Sequence, residues 1–332
     1  NFSCIMANVI KIKKGLDINL KGKASDVLLN GGKSESYAIV PDYYNGILPK
    51  VVAKVGEKVK AGSVLMIDKN RPEIKFVSPV RGEGTAVNRG EKRKVLSIVV
   101  KPDAQIEYEE FGKKNVASLQ GAEVKEVLLN AGMWPFIKQR PYDIVAAPLD
   151  TPRDIFVSAF YSAPLAPNFD FIVKGQEADF QTGLNALAKL TNGKVYVGVR
   201  SGSVVSGMKG VEIVEVEGPH PAANVGVQIN HIKPVNKGEV VWTVNPADVI
   251  VIGRLFNKGV ADFSRMVAIT GSETTERGYV KTISGCTIKS LVNGKVLGQE
   301  HIRIISGNVL TGTKVNMDGY LGAYDNQITV IP

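Results

Sequence analysis

The sequence predicts an α+β chain of more than one domain, and three observations carry that prediction. Its 332 residues, at roughly 150 per domain, imply two or three cores. Short strand-like runs separated by glycine turns fill residues 6–103. From Gln120 strands alternate with helices, and from about Val260 the pattern returns to strands. The expected divisions are a β module at 6–110, an α/β domain at 111–260 and a β domain at 261–332 with C-terminal strands.

Residues 1–5 stand ahead of Met6-Ala7-Asn8 and are set outside the fold. In the first module Gly31-Gly32, Asn45-Gly46, Gly62, Gly82, Gly84 and Gly90 punctuate the strands. Two halves follow in tandem, PKVVAKVGEKVKAGSVLMID (49–68) and FVSPVRGEGTAVNRGEKRKVLSIVV (76–100), each a strand, a turn and a strand. Packed face to face they make a small β-sandwich, and their residues resemble biotinyl- and lipoyl-type barrel-sandwich hybrids. Such carriers modify a lysine on the hairpin between the halves. The hairpin here, residues 68–75, offers Lys69 without apolar or methionine flanks, so a scaffold is expected over a carrier.

Residues 104–120 are acidic and then polar, as in a linker. Ala122, Val124, Val127, Leu128 and Ala131 have helical spacing, with Gly132 as the stop. Residues 143–147 and 155–159 read as buried strands. An amphipathic helix at 177–190 carries Phe180, Leu184, Leu187 and Leu190 on one face, and strands follow at 194–199 and 211–216. In the last part, 265–270 is a strand running into Gly271, 283–292 a turn entering a short helix, and 301–306 and 329–331 strands.

Composition excludes several classes. Hydrophobic residues make up 44% and charged residues 22%, as in an ordinary globular chain. No apolar run nears the roughly 18 residues of a membrane span, and no signal-peptide core follows the N-terminus. Cys4 and Cys286 are the two cysteines, too few for a disulfide scaffold or for an iron–sulfur cluster. His220, His231 and His301 are scattered, which argues against structural zinc and leaves a reduced, cytoplasmic protein as the expectation. Residues 1–120 hold 21 Lys+Arg against 13 Asp+Glu, and residues 121–332 hold 20 against 19. Residues 1–120 therefore carry +8 of the total +9. Such asymmetry fits nucleic acid, an anionic membrane surface or an acidic protein partner, and equally a merely solvated face.

Catalytic signatures are incomplete. Gly31-Gly32-Lys33-Ser34 resembles the end of a P-loop, but Val27 stands where its first glycine belongs. No dinucleotide fingerprint follows a predicted strand, and no nucleophile elbow or HExxH is present. Cys286, lone in a turn, reads as structural. Two segments stand out. GPHPAANVGVQINHIKPV (218–235) is a long loop with a Pro-His-Pro turn. NAGMWPFIKQRPY (130–142) mixes aromatics with Lys138 and Arg140, as either a wall for a flat, carbonyl-bearing ligand or a packed helix-to-strand connection.

IKIKKGLDI (10–18), FVSPVRGEGTAVNRGEKR (76–93), MWPFIKQRPYD (133–143), GPHPAANVGVQINHIKPVN (218–236), ISGNVLTGTKV (305–315) and YLGAYDNQITVI (320–331) together closely resemble the A subunit of the bacterial sodium-pumping NADH:quinone reductase. The similarity runs over nearly the whole chain from Met6, and family members normally extend beyond this C-terminus. That family is similar in turn to the flavoprotein subunit of respiratory complex I and to the C subunit of the Rnf complex. The resemblance implies a barrel-sandwich hybrid, a Rossmann-like α/β domain and a β-grasp domain of the SLBB type.

It also implies the function. The expected role is a peripheral subunit on the cytoplasmic side of the bacterial inner membrane, held there through its complex. It would contribute to assembly and to quinone interaction, with no turnover, catalytic residue or metal of its own. The flavoprotein relatives carry a glycine loop, RGRGGAGFPTG, which cradles phosphates through backbone N–H groups. Here Trp134, Pro135 and Phe136 stand in that stretch, and the relatives' cluster cysteines are absent. No cofactor is therefore expected on this chain. Flavins and a 2Fe-2S cluster are expected on other subunits, with quinone as substrate. Tyr43, Tyr44, Trp134, Phe136, Lys138 and Arg140 are the candidate quinone contacts, since a quinone head needs aromatic walls and N–H donors. Gly218, His220, Asn230 and His231 belong to the signature loop, with no role assigned. Two alternatives are a flavin- and NADH-binding input subunit of the Rnf type and a basic nucleic-acid-binding protein. The first module lacks an aromatic platform for the latter, so no nucleic-acid partner is expected.

Overall fold

The computed structural model describes residues 8–298 and 300–332; Cys4 and the Met6 start lie outside them. Strand β1 (Asn8–Lys11) does not pack within the first module. It pairs in parallel with Glu212–Glu217 at the edge of the middle sheet. Residues Leu28–Leu29 likewise pair with Gly278–Ile283 of the last sheet. Within the expected 6–110 division, residues 8–29 thus strap the other two modules together, because each short strand satisfies an open sheet edge.

The sandwich proper has two sheets. One runs Tyr37–Ile39, Val95–Pro102, Gly82–Arg89, Lys58–Val59, and the other Pro49–Val51, Val64–Asp68, Lys75–Val77. The hairpin that offers Lys69 is fastened. Buried Asp68 accepts from Arg71 Nε at 2.9 Å, and Arg71 also reaches the carbonyls of Gly46 and Val145 at 3.4 Å. A tethered hairpin suits a scaffold.

Helix α1 (Gly121–Asn130) starts with a capping box between Gln120 and Glu123 and ends before Gly132, which adopts φ +70°. The middle sheet then adds β2 (Ile137–Arg140), β3 (Ile144–Val145), β4 (Ile155–Ser158), β5 (Val195–Val199), β6 (Glu212–Glu217) and β7 (Val241–Val244). Its order is β1-β6-β5-β4-β7-β2-β3, parallel from β1 to β7 and antiparallel beyond. Strands β6-β5-β4-β7 reproduce the 3-2-1-4 core of a Rossmann-type sheet. The short α2 (Phe169–Val173) and the longer α3 (Glu177–Ala188) follow β4.

Besides the short α2, two further helices differ from expectation. The signature loop contains α4 (Val225–Ile232), and after β7 comes α5 (Pro246–Lys258). The latter holds Val249-Ile250-Val251-Ile252, which by propensity reads as strand. All of 246–256 is buried, so tertiary burial overrides the local preference; Asn245 as cap with Pro246 at the first turn is the available signal. Helices α3 and α5 meet where Gly183 and Gly253 let the two backbones touch, and a Cβ at either would strike a carbonyl of the other helix.

The last sheet orders Thr313–Val315, Arg303–Ser306, Gln327–Ile331, Ser264–Thr270, Gly278–Ile283, Leu28–Leu29, with α6 (Ile288–Val292) capped by Thr287. This is the expected β-grasp arrangement. One apolar core runs through all three modules, from Phe76 and Trp134 to Leu291 and Val330. Among the described residues no helix is long and apolar enough to cross a membrane.

Candidate functional site

The chain leaves β4 toward β5 and β6 on one side, while β7 lies on the other. Connections diverge at such a reversal and leave a crevice beyond the C-terminal strand ends. A cavity of about 610 Å³ opens there, lined by Phe136, Lys138, Arg140, Phe160, Tyr161 and Tyr324 and by the first residues of α4 and α5. Strand period explains the two cations. In β2, Ile137 and Gln139 are buried while Lys138 and Arg140 turn to the other face and stay half-buried.

Lys138 Nζ sits 3.8 Å from the centroid of the Tyr324 ring, a cation–π contact that holds the ammonium at the cavity wall. Tyr324 donates its hydroxyl to the Pro135 carbonyl at 2.6 Å. Arg140 Nε lies 3.3 Å from Asp143 Oδ1. The Arg200 guanidinium covers the Phe160 ring at 4.5 Å. Tyr161 donates to Asn245 Oδ1 at 3.0 Å and accepts from Asn326 Nδ2 at 3.2 Å. Burial pushes the phenols of Tyr161 and Tyr324 up, so both stay protonated. Behind this wall, fully buried Asp248 of α5 accepts from Arg265 Nη2 at 3.0 Å. Arg265 also donates to Ser284 Oγ at 2.7 Å and to Asn326 Oδ1 at 3.3 Å, tying the last sheet to the crevice.

The structure brings Phe136, Lys138 and Arg140 together but not Trp134. Residues Trp134–Phe136 form a 3₁₀ turn, so the two-residue spacing of a strand does not hold across them. Trp134 is fully buried, packed edge-on against Trp242 at 5.3 Å, and donates Nε1–H to the Ala146 carbonyl at 2.8 Å. The indole lies in the core and does not line the crevice. Tyr43 and Tyr44 line a second, apolar cleft of about 60 Å³ where the three modules meet, with Phe136 as the wall shared with the crevice. Tyr44 meets Phe76 at 4.7 Å and Tyr324 at 5.7 Å, edge to face, and Tyr43 donates to the Tyr320 carbonyl at 3.3 Å.

The signature loop divides. Residues 223–227 reach the crevice. Gly218, at φ +112°, lies against the Ile12 carbonyl, where a side chain has no room. The His220 backbone N–H donates to Asp17 Oδ1, and its Nδ1 lies 2.8 Å from Ser162 Oγ. These two residues stitch the N-terminal strap to the sheet. Asn230 and His231 are exposed on α4 and do not line the crevice. Phe160, Tyr161 and Tyr324 lie outside the sequence-based candidates. The signal for the first two is their place just after a parallel strand, and Tyr324 is brought in only by the chain's return. Cys286 is buried and its thiol is pushed up by that burial, which suits structure rather than nucleophilic chemistry. Among the described residues no cluster of three or more His, Cys, Asp or Glu is placed to hold a metal.

Flat aromatic walls and two cationic donors are the chemistry that a flat, carbonyl-bearing ligand would need. Fold and site together define a class: a three-module protein, with barrel-sandwich, Rossmann-like and β-grasp parts and a crevice at the switch point of its middle sheet. Three family models match in the same order: the NqrA N-terminal barrel-sandwich hybrid domain over residues 10–103, the NqrA second alpha/beta domain over 119–261 and the NQRA C-terminal (SLBB) domain over 266–317. The chain belongs to the family of NqrA, the A subunit of Na(+)-translocating NADH-quinone reductases. It is 36% identical over 328 residues to that subunit from Neisseria meningitidis strain Z2491, covering 97% of this chain and 73% of the relative. The corresponding proteins of Yersinia pestis, at 35%, and Photorhabdus laumondii, at 36%, match over the same spans. Among solved structures, an air-oxidised NAD+-reducing [NiFe]-hydrogenase aligns at 11% identity over 68% of this chain and 52% of its own, with a TM-score of 0.41.

Proposed function

We propose that the chain works as the A subunit of a sodium-translocating NADH–quinone reductase, peripheral on the cytoplasmic face of the inner membrane, and that its switch-point crevice receives the quinone head. The observation that supports this is the crevice itself. Phe136, Phe160 and Tyr324 line it with aromatic rings, and Lys138 and Arg140 bring donors for carbonyl oxygens. Tyr43 and Tyr44 then act from behind, through Phe136 and Tyr324, by fixing the wall.

The test is a quinone titration of the wild-type chain against Lys138→Ala and Arg140→Ala. A hydrogen bond from a charged donor contributes about 1.5–3 kcal/mol, so affinity is expected to fall by about tenfold or more in at least one variant. Equal affinity in all three, with folding intact, moves quinone to other subunits.

The chain is also expected to carry no flavin. Met133 and Trp134 are fully buried and Pro135 and Phe136 nearly so, which leaves no glycine cradle for a phosphate in that stretch. The purified protein should be colourless; a stoichiometric flavin band in its visible spectrum would favour the Rnf-type reading instead.

A further inference from the structure

Another concave surface lies on the basic module. The loop carrying Tyr44, Ile47 and Leu48 faces the turn of the Gly82–Arg89/Val95–Pro102 hairpin, and between them is a groove of about 610 Å³. Its lining is partly apolar, with Leu48 47% exposed, and partly basic, with Arg89, Arg93 and Lys94. The one acid lining it, Asp42, is already held by Lys94 at 3.0 Å. Arg89 Nη1 donates to the Arg93 carbonyl at 3.0 Å, and among the described residues neither guanidinium has an acidic partner. Part of the +8 charge of residues 1–120 is concentrated here beside exposed apolar surface.

We infer that the groove seats an acidic segment of a partner subunit, with an apolar side chain set against Leu48 between carboxylates that meet Arg89 and Arg93. Charge complementarity selects an anionic partner, and the exposed Leu48 beside the cations selects a chain segment that mixes acidic and apolar side chains over a purely anionic surface. The groove also adjoins the crevice. Asn45 Nδ2 donates to the Asp143 carbonyl at 3.2 Å and Asn45 accepts from the Val145 N–H at 3.0 Å, so the groove shares a wall with the β2–β3 turn that carries Arg140 and Asp143. Asn45 of the groove lining thus touches Asp143 of the crevice lining. The inference deepens the assembly reading and does not depend on quinone binding.

The test uses the whole reductase, assembled with the full-length protein. A photo-cross-linking residue at Leu48 is expected to label an Asp/Glu-rich segment of another subunit. The double variant Arg89→Glu/Arg93→Glu should lower retention of the protein on the tagged complex by about tenfold or more. Wild-type retention should weaken as salt rises from about 0.1 M to about 1 M, where the screening length falls from about 10 Å to about 3 Å. Both arginines are exposed, so the variant should melt like wild type, and its quinone titration reads the crevice separately. Vesicles of phosphatidylcholine and phosphatidylglycerol form the other arm. The inference is overturned if cross-links reach only lipid or nothing, if the double variant stays on the complex as well as wild type, or if it loses vesicle binding alone.

Discussion

Trp134→Ala is expected to destabilise the chain by about 3–5 kcal/mol, the range for removing a large aromatic from a packed core. Three losses combine. The indole is fully buried, its edge-to-face partner Trp242 is left beside a void, and the Ala146 carbonyl loses its donor. Urea unfolding followed by far-ultraviolet circular dichroism measures the effect without relying on the deleted fluorophore. The molecules that remain folded should bind quinone as wild type does, since Trp134 does not line the crevice. A variant of unchanged stability that loses quinone would reverse the assignment of this residue from core to site.

Asp248→Ala is expected to cost a similar amount, about 3–5 kcal/mol, for a different reason: it leaves a buried guanidinium without its carboxylate. Arg265 and Asp248 are 2% and 0% exposed at the side chain, so water cannot substitute. The damage should concentrate where α5 meets the last sheet. Hydrogen exchange is expected to quicken in Ser264–Thr270 and Gln327–Ile331 more than in the sandwich. Replacing both partners, Asp248→Leu with Arg265→Met, removes the orphaned charge and should recover much of the loss. A single variant as stable as wild type would mean that the pair contributes nothing net.

Much of this is legible in the order of the residues. Helical spacing marks α1 and α3, and the same two-residue period that marks a strand puts Lys138 and Arg140 on one face. Glycine placement and tandem halves reveal the sandwich, and two cysteines alone argue against cluster chemistry. These features are local, and local sterics decide them. The charge imbalance is legible as well, though not the groove over which Arg89 and Arg93 concentrate it.

Residue order thus sets the succession of modules, the periodic elements and the chemistry available in each. Which partners meet is settled by the packing of distant segments. Trp134 sits two residues from Phe136, yet a 3₁₀ turn and a waiting Trp242 draw it inward. The Val-Ile-Val-Ile run of α5 is a helix because burial all round rewards an internally hydrogen-bonded segment. Asn8–Lys11 leaves its own module because the open sheet edge at Glu212–Glu217 supplies the missing hydrogen bonds. Phe160, Tyr161 and Tyr324 become neighbours across one crevice only when the last sheet docks on α5. Each of these outcomes depends on which distant surface arrives to cover a segment, and a local pattern of residue types does not encode that.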